Sequence, residues 1–290
     1  YFVVYNDDGS TPAPAVSDIQ GFNVVILSFL LTTGAADVAA EWAALSSTER
    51  STIKAEYEAS GIKLLVSAFG STETPTTSGA DATTVAQTMA AWVKAYGVDG
   101  IGPKMSDYED TTAMNLADGS AETWIIDFTT ALRAELPQGE YILTHAPMAP
   151  WMGVDTEWTS GAYVKVNDEV GSSIDWYNIQ FYNQGADEYT TCDGLLTSST
   201  SNNPNSALFE IEANGFSLNK LVIGKPGTSD AASNGYMDTS TLAGCLAEAK
   251  EKGWEGGAMA WEYPGADATW VAAVRGTGKF FLFITRNILT

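Results

Sequence analysis

Two carboxylates spaced two apart, Asp107 and Glu109, end an apolar run in the segment V-D-G-I-G-P-K-M-S-D-Y-E-D, from Val98 to Asp110. Side chains at that spacing share one face of a strand. If the strand belongs to a closed barrel, both point inward at its C-terminal mouth. There one carboxyl can stay protonated while the other is ionised, which is the equipment of acid and base catalysis. A D-x-E pair taken alone in an acidic chain reads as a solvated surface pair, so the strand-end setting carries the argument.

Other chemistries have less to stand on. His145 is the only histidine, which leaves a histidine-based metal site short of ligands and makes any Ser-His-Asp triad depend on one residue. Cys192 and Cys245 lack metal-ligand spacing, and no phosphate-binding loop occurs. No cofactor and no metal are expected. His145, in T-H-A-P, is expected to pack near a barrel mouth. Met148, Trp151 and Met152 read equally as core or as an apolar shelf beside a site.

The elements that would position the carboxylates alternate between strand-like and helix-like patterns. Strands are predicted at Tyr1 to Asp7, Asn23 to Leu30, Lys63 to Phe69, Asp99 to Glu109, Tyr141 to Ala146, Trp176 to Tyr182, Leu221 to Lys225 and Gly256 to Trp261. Helical spacing marks Asp37 to Ser60, Asp81 to Tyr96, Ala121 to Leu136, Thr239 to Lys252 and Asp267 to Arg275, with start signals at Ser120 and Thr239. That alternation and length predict an α/β fold, a single-domain (β/α)8 TIM barrel over residues 1–276. An open doubly wound sheet is the competing architecture, but no G-x-G-x-x-G follows the first strand. The loops after the second and sixth strands, rich in Thr, Ser, Gly and Asn, read as cleft rims. Residues 277–290 form a tail of unassigned role; its K-F-F-L-F-I-T run is strand-like and aggregation-prone unless covered.

Composition narrows the partners. The chain has 290 residues, 45% of them hydrophobic and 11% aromatic, enough for a large core rather than a disordered chain. Fourteen basic against 36 acidic residues give a net charge of −22, which disfavours nucleic acid and anionic membrane surfaces. No apolar stretch is long enough to span a membrane, there is no Asn-x-Ser/Thr sequon, and a monomer is expected. The chain starts inside a strand without an initiator Met, as expected of a mature product after signal removal or of a trimmed chain, and secretion is the expectation. Two cysteines allow one bridge or two buried thiols. In a barrel both fall toward the C-terminal end of neighbouring units, which makes the bridge geometrically feasible.

Four strand ends together resemble glycoside hydrolase family 18. They are S-A-F-G at Ser67 to Gly70, D-G-I…D-x-E at Asp99 to Glu109, W-Y-N-I-Q-F-Y-N at Trp176 to Asn183, and G-G-A-M-A-W-E-Y at Gly256 to Tyr263. Q-F-Y-N is similar to the class III chitinases of that family. W-Y-N-x-Q-F-Y with M-x-W-E-Y is closer to its fungal secreted members, which include endo-β-N-acetylglucosaminidases. The resemblance implies a retaining hydrolysis of N-acetylglucosamine-containing oligosaccharides or glycans in which the substrate's acetamido group is the nucleophile, an exception to the two-carboxylate rule. It makes Glu109 the acid and base, Asp107 the stabiliser of the oxazolinium ion, Tyr182 the holder of the acetamido oxygen, Gln180 a pocket wall and Trp261 the apolar floor. Asn183, Ser67 and Asp99 join them as substrate-site residues. Chitin and the chitobiose core of N-glycans share the same bond, so a chitinase leads, with the N-glycan enzyme and an inactive lectin as alternatives.

The chain departs from the family pattern D-x-x-D-x-D-x-E. Three extra residues separate Ile101 from Asp107. An odd insertion reverses the face of everything after it unless a bulge or loop absorbs it, and Gly102-Pro103 is the expected place. Counted back from Glu109, Met105 stands where the middle Asp should be. The pair then sits either correctly above a kinked strand or in an inactive family member.

Overall fold

A computed structural model describes residues 1–7, 11–71, 73–104, 110–154 and 157–276. Eight parallel strands are the frame: β1 (Phe2–Asn6), β2 (Val24–Leu31), β3 (Lys63–Phe69), β4 (Gly100–Lys104), β5 (Ile142–His145), β6 (Trp176–Gln180), β7 (Leu221–Pro226) and β8 (Ala258–Tyr263). Each pairs with the next, and β1 pairs with both β2 and β8, so the sheet closes into a (β/α)8 barrel. A two-residue return, Gly34–Ala35, runs antiparallel to the end of β2.

The Val, Ile and Leu content of the strands suits burial on both faces, and alternation sorts their side chains into two apolar layers. One lines the barrel interior, with Val3, Tyr5, Val24, Ile26, Leu65, Trp176, Val222 and Met259. The other, including Val4, Val25, Leu27, Leu64, Val66 and Ile179, meets the helices. Those helices are α1 (Asp37–Ala44), α2 (Ser47–Ala59), α3 (Ala82–Tyr96), α4 (Thr111–Leu116), α5 (Ser120–Glu135), α6 (Ala162–Val170), α7 (Cys192–Leu196), α8 (Leu208–Ala213), α9 (Thr239–Glu251) and α10 (Ala268–Arg275).

Local chemistry corrects several predicted boundaries. The single helix expected from Asp37 to Ser60 is two, because Ser46 and Glu49 form a reciprocal capping box that starts α2 afresh. The expected start signals are each displaced by one residue. Gly119, not Ser120, is the N-cap of α5, and Asp238 caps α9 by accepting from Ser240 N and Thr241 N.

The largest correction concerns β4. It pairs with β3 without a register shift from Gly100 to Lys104, so the bulge expected at Gly102-Pro103 is not there. The parallel ladder with β3 is continuous across both residues. Asp107 and Glu109 lie outside the described residues, as do Met105, Ser106 and the tail 277–290.

Candidate functional site

The C-terminal mouth of the barrel is built from the inward phase of the strands. On β6 that phase is Trp176, Asn178 and Gln180, and it continues one step further to Tyr182. Trp176 Nε1 donates to Asn178 Oδ1 at 3.0 Å. Gln180 is fully buried; its Nε2 donates to Ala146 O, and its backbone N donates to Pro147 O at 2.9 Å. Tyr182 is 2% exposed and packs in the interior cluster with Tyr5, Ala146 and Met259, and Trp261 lies against that cluster. Thus the structure brings Gln180, Tyr182 and Trp261 to one place.

Two ladder irregularities shape the floor of the mouth. On β2 the partner moves one step on β3 while the chain moves from Ser28 to Leu30, leaving Phe29 as the extra residue. On β8 the chain gains one residue between Ala260 and Tyr263, at Trp261-Glu262. Bulges re-aim side chains, and here the Phe29 and Trp261 rings stack with centroids 6.2 Å apart, while Tyr5 tilts against Trp261 at 5.6 Å. Gly70 of S-A-F-G makes this fit: a Cβ there would meet the Phe29 ring at 2.9 Å, and its φ of +122° suits glycine.

Ser67 lies between Ser28 and Gly102 in the ladder, on the inward phase. Ser28 Oγ, Ser67 Oγ, Thr144 Oγ1 and Asn178 Nδ2 are buried without a protein hydrogen-bond partner, so this polar layer needs water or ligand atoms to complete it. Gly102 is where a forward count from Asp99 puts the second Asp of the family pattern. A Cβ there would lie 2.1 Å from Thr144 Oγ1, so the threonine occupies the room of the absent side chain.

Asp99 is not among the gathered residues. It precedes β4 at the opposite, N-terminal end of the barrel, where it pairs with Lys54 and Lys63 and accepts from Leu64 N at 2.8 Å. Its carboxylate ties α2 to the start of β3. Asn183 follows Tyr182 in the left-handed region, and its Oδ1 accepts from Ser233 N at 2.8 Å, so its side chain binds the loop after β7. Among the described residues no group of three or more His, Cys, Asp or Glu side chains could hold a metal ion.

No family model matches the chain, and no curated protein does. Solved structures do. A family 18 chitinase from Pseudoalteromonas aurantia is 27% identical, with a TM-score of 0.78 over 94% of this chain and 98% of that one. By fold, the chain is similar to the chitinases of glycoside hydrolase family 18. Two further likenesses are of fold alone. A fungal endo-β-N-acetylglucosaminidase of family 18 is 20% identical over 94% of this chain and 96% of its own, with a TM-score of 0.65. A xylanase-A-amylase inhibitor protein is 19% identical over 96% and 98%, with a TM-score of 0.62.

Within the barrel, His145 faces the helix layer rather than the mouth. Thr129 Oγ1 donates to Ile125 O at 2.6 Å, so it accepts from His145 Nε2 at 3.2 Å, and Nδ1 accepts from Tyr163 OH at 3.0 Å. The ring is a neutral Nε2-H tautomer, and burial pushes its pKa down to about 3. Trp151 and Met152 are core, Trp151 lying parallel to Tyr163 with centroids 6.3 Å apart, whereas Met148 is half-buried and bridges Gln180. Cys192 and Cys245 are disulfide-bonded, with Cα atoms 5.0 Å apart, tying α7 to α9.

Three residues in or around the mouth escape sequence reasoning. Tyr5 could have been found by period-two counting along β1. Asp110, fully buried directly after the D-x-E segment, accepts from Thr76 N, Thr77 N and Thr77 Oγ1 and so pins the chain there to the loop after β3. Lys225 gave no signal, because a lysine ending an apolar strand reads as solvent-facing.

Proposed function

We propose that this chain is a retaining glycosidase that cleaves β-1,4 bonds between N-acetylglucosamine units, with chitin oligomers as its substrate class. The observation that supports this best is the likeness to the P. aurantia family 18 chitinase across 94% of the chain at 27% identity. In this reading Glu109 protonates the glycosidic oxygen as its bond to the anomeric carbon breaks, and the acetamido carbonyl oxygen bonds to that carbon. The product is an oxazolinium ion. Asp107 accepts the acetamido N-H and stabilises the cation, while Tyr182 O-H donates to the acetamido oxygen. Water then attacks the anomeric carbon, Glu109 takes its proton, and the ring opens with net retention. Trp261, with Tyr5 and Phe29, offers the sugar C-H bonds an aromatic face, and Gln180 lines the acetamido pocket. Secretion is part of the proposal, since an oxidising compartment preserves the bridge between Cys192 and Cys245.

A second reading has its own observation. The unbroken ladder through Gly102 and Lys104 places non-acidic residues where a forward count from Asp99 expects the second and third Asp, which favours an inactive, sugar-binding member. One experiment separates the readings. Purified protein and its Glu109→Gln variant are incubated with chitin oligomers and with a high-mannose glycopeptide, and products and binding are followed. The expected outcome is internal cleavage of chitin oligomers only, with the variant slower by about 10²-fold or more and still binding. Glycopeptide cleavage alone would establish the endo-β-N-acetylglucosaminidase. Binding without cleavage of either would establish the lectin.

A further inference from the structure

Lys225, on β7, is fully buried. Its Nζ donates to Phe181 O at 2.9 Å, Tyr189 O at 2.6 Å and Gly235 O at 3.0 Å, which uses all three ammonium donors. None of these partners is a carboxylate, and burial pulls its pKa down to about 7. This fully buried ammonium group, facing outward from the barrel, holds together the three carbonyls it touches. Phe181 O belongs to the peptide that leads into Tyr182. Tyr189 O and Gly235 O belong to the loops after β6 and β7.

The same two loops are clasped above the lysine. Asn183 N donates to Asn234 O at 3.2 Å, Gly185 N to Asn234 Oδ1 at 3.1 Å, and Ser233 N to Asn183 Oδ1 at 2.8 Å. Gly235, at φ +87°, lies so close that a Cβ there would be 2.6 Å from Tyr182 Cα. We infer that Lys225 is a positioning residue for Tyr182, a buried ammonium that fixes the peptide entering that tyrosine and locks the loop after β7 against its backbone. The mechanism above gives Tyr182 the task of orienting the acetamido oxygen, and the inference rests on that reading for its kinetic consequence. Small displacements at such a group are costly to turnover.

The test uses Lys225→Met, Tyr182→Phe and the double variant on a chitin oligomer. Lys225→Met should lower kcat about tenfold or more and change KM less than about threefold. The double variant should be no slower than Tyr182→Phe within about twofold, because both changes remove one function. Multiplicative losses would overturn the inference. Should Lys225→Met fail to fold, Lys225→Gln, which keeps donors for two of the carbonyls, takes its place, with a smaller kcat loss that must show the same non-additivity. If the wild-type protein cleaves nothing, the glycosidase reading fails and hydrogen exchange decides the inference. In the lysine variant the amides of Asn183 and Gly185 should exchange at least about tenfold faster while α3 is unchanged. Unaltered exchange at those amides would overturn it.

Discussion

At the scale of single residues, several buried titratable groups have structural roles. His145 is the clearest case, since every polar atom of its ring is bonded in the neutral form. Its folded pKa of about 3 lies below the unfolded value of 6.5. The unfolded chain therefore takes up the proton first as the pH falls. The stability contributed by neutral His145 is fully present above about pH 6.5 and is lost on descending toward pH 3, at up to about 1.4 kcal/mol per pH unit. Denaturant melts between pH 4 and 7 should show that slope, and His145→Gln should flatten it; an unchanged slope would mean other groups carry the acid sensitivity. The sequence made this histidine visible because it is the only one, but it could not say which face of β5 it takes. One residue of phase decides between mouth and helix layer, and no pattern in T-H-A-P fixes it. A different limit explains Asp99: its family-like spacing suggested the site but could not say which end of β4 it takes, and its place before that strand makes it an ion-pair partner for Lys54 instead.

At the scale of elements, the strands were the readable part. Runs rich in Val, Ile, Leu and Phe have nowhere to go but a sheet buried on both faces, and β3 lies where its composition put it. The short helices α4, α6, α7 and α8 were not readable, being stretches of five to nine residues whose stability comes from docking rather than propensity. The cysteine pair was legible as an option because barrel order places α7 and α9 in neighbouring units. The bridge closes a sequence separation of 53 residues, worth at most about 4 kcal/mol in the chain-entropy model. Reduction under native conditions should lower the melting temperature and speed proteolysis first within residues 184–206, the loop that α7 anchors. An unchanged melting temperature after complete reduction, verified by thiol alkylation, would show that α7 is held by its apolar contacts alone.

At the scale of the whole molecule, the loops after the strands form a rim joined by buried polar ties. Glu73 accepts from Thr32 N at 2.8 Å, linking the loops after β2 and β3, and Asp110 and Lys225 continue the series around the mouth. In the proposed glycosidase such a rim would frame a preformed aromatic floor for a neutral sugar chain, on a chain whose net charge is −22. These two features respond differently to salt. Binding of an uncharged N-acetylglucosamine oligomer draws on stacking and hydrogen bonds, which a shorter Debye length leaves nearly untouched. A partly deacetylated oligomer carries ammonium groups and is drawn by the acidic field. Raising the salt from about 0.05 to 0.5 M, which shortens the Debye length from roughly 14 to 4 Å, should leave the dissociation constant of the acetylated oligomer within about twofold. The deacetylated one should weaken by about tenfold or more. Isothermal titration calorimetry at the two ionic strengths reads both numbers. Equal salt dependence for the two ligands would mean that the acidic surface stands apart from the mouth, and that the aromatic floor and polar rim alone select the sugar.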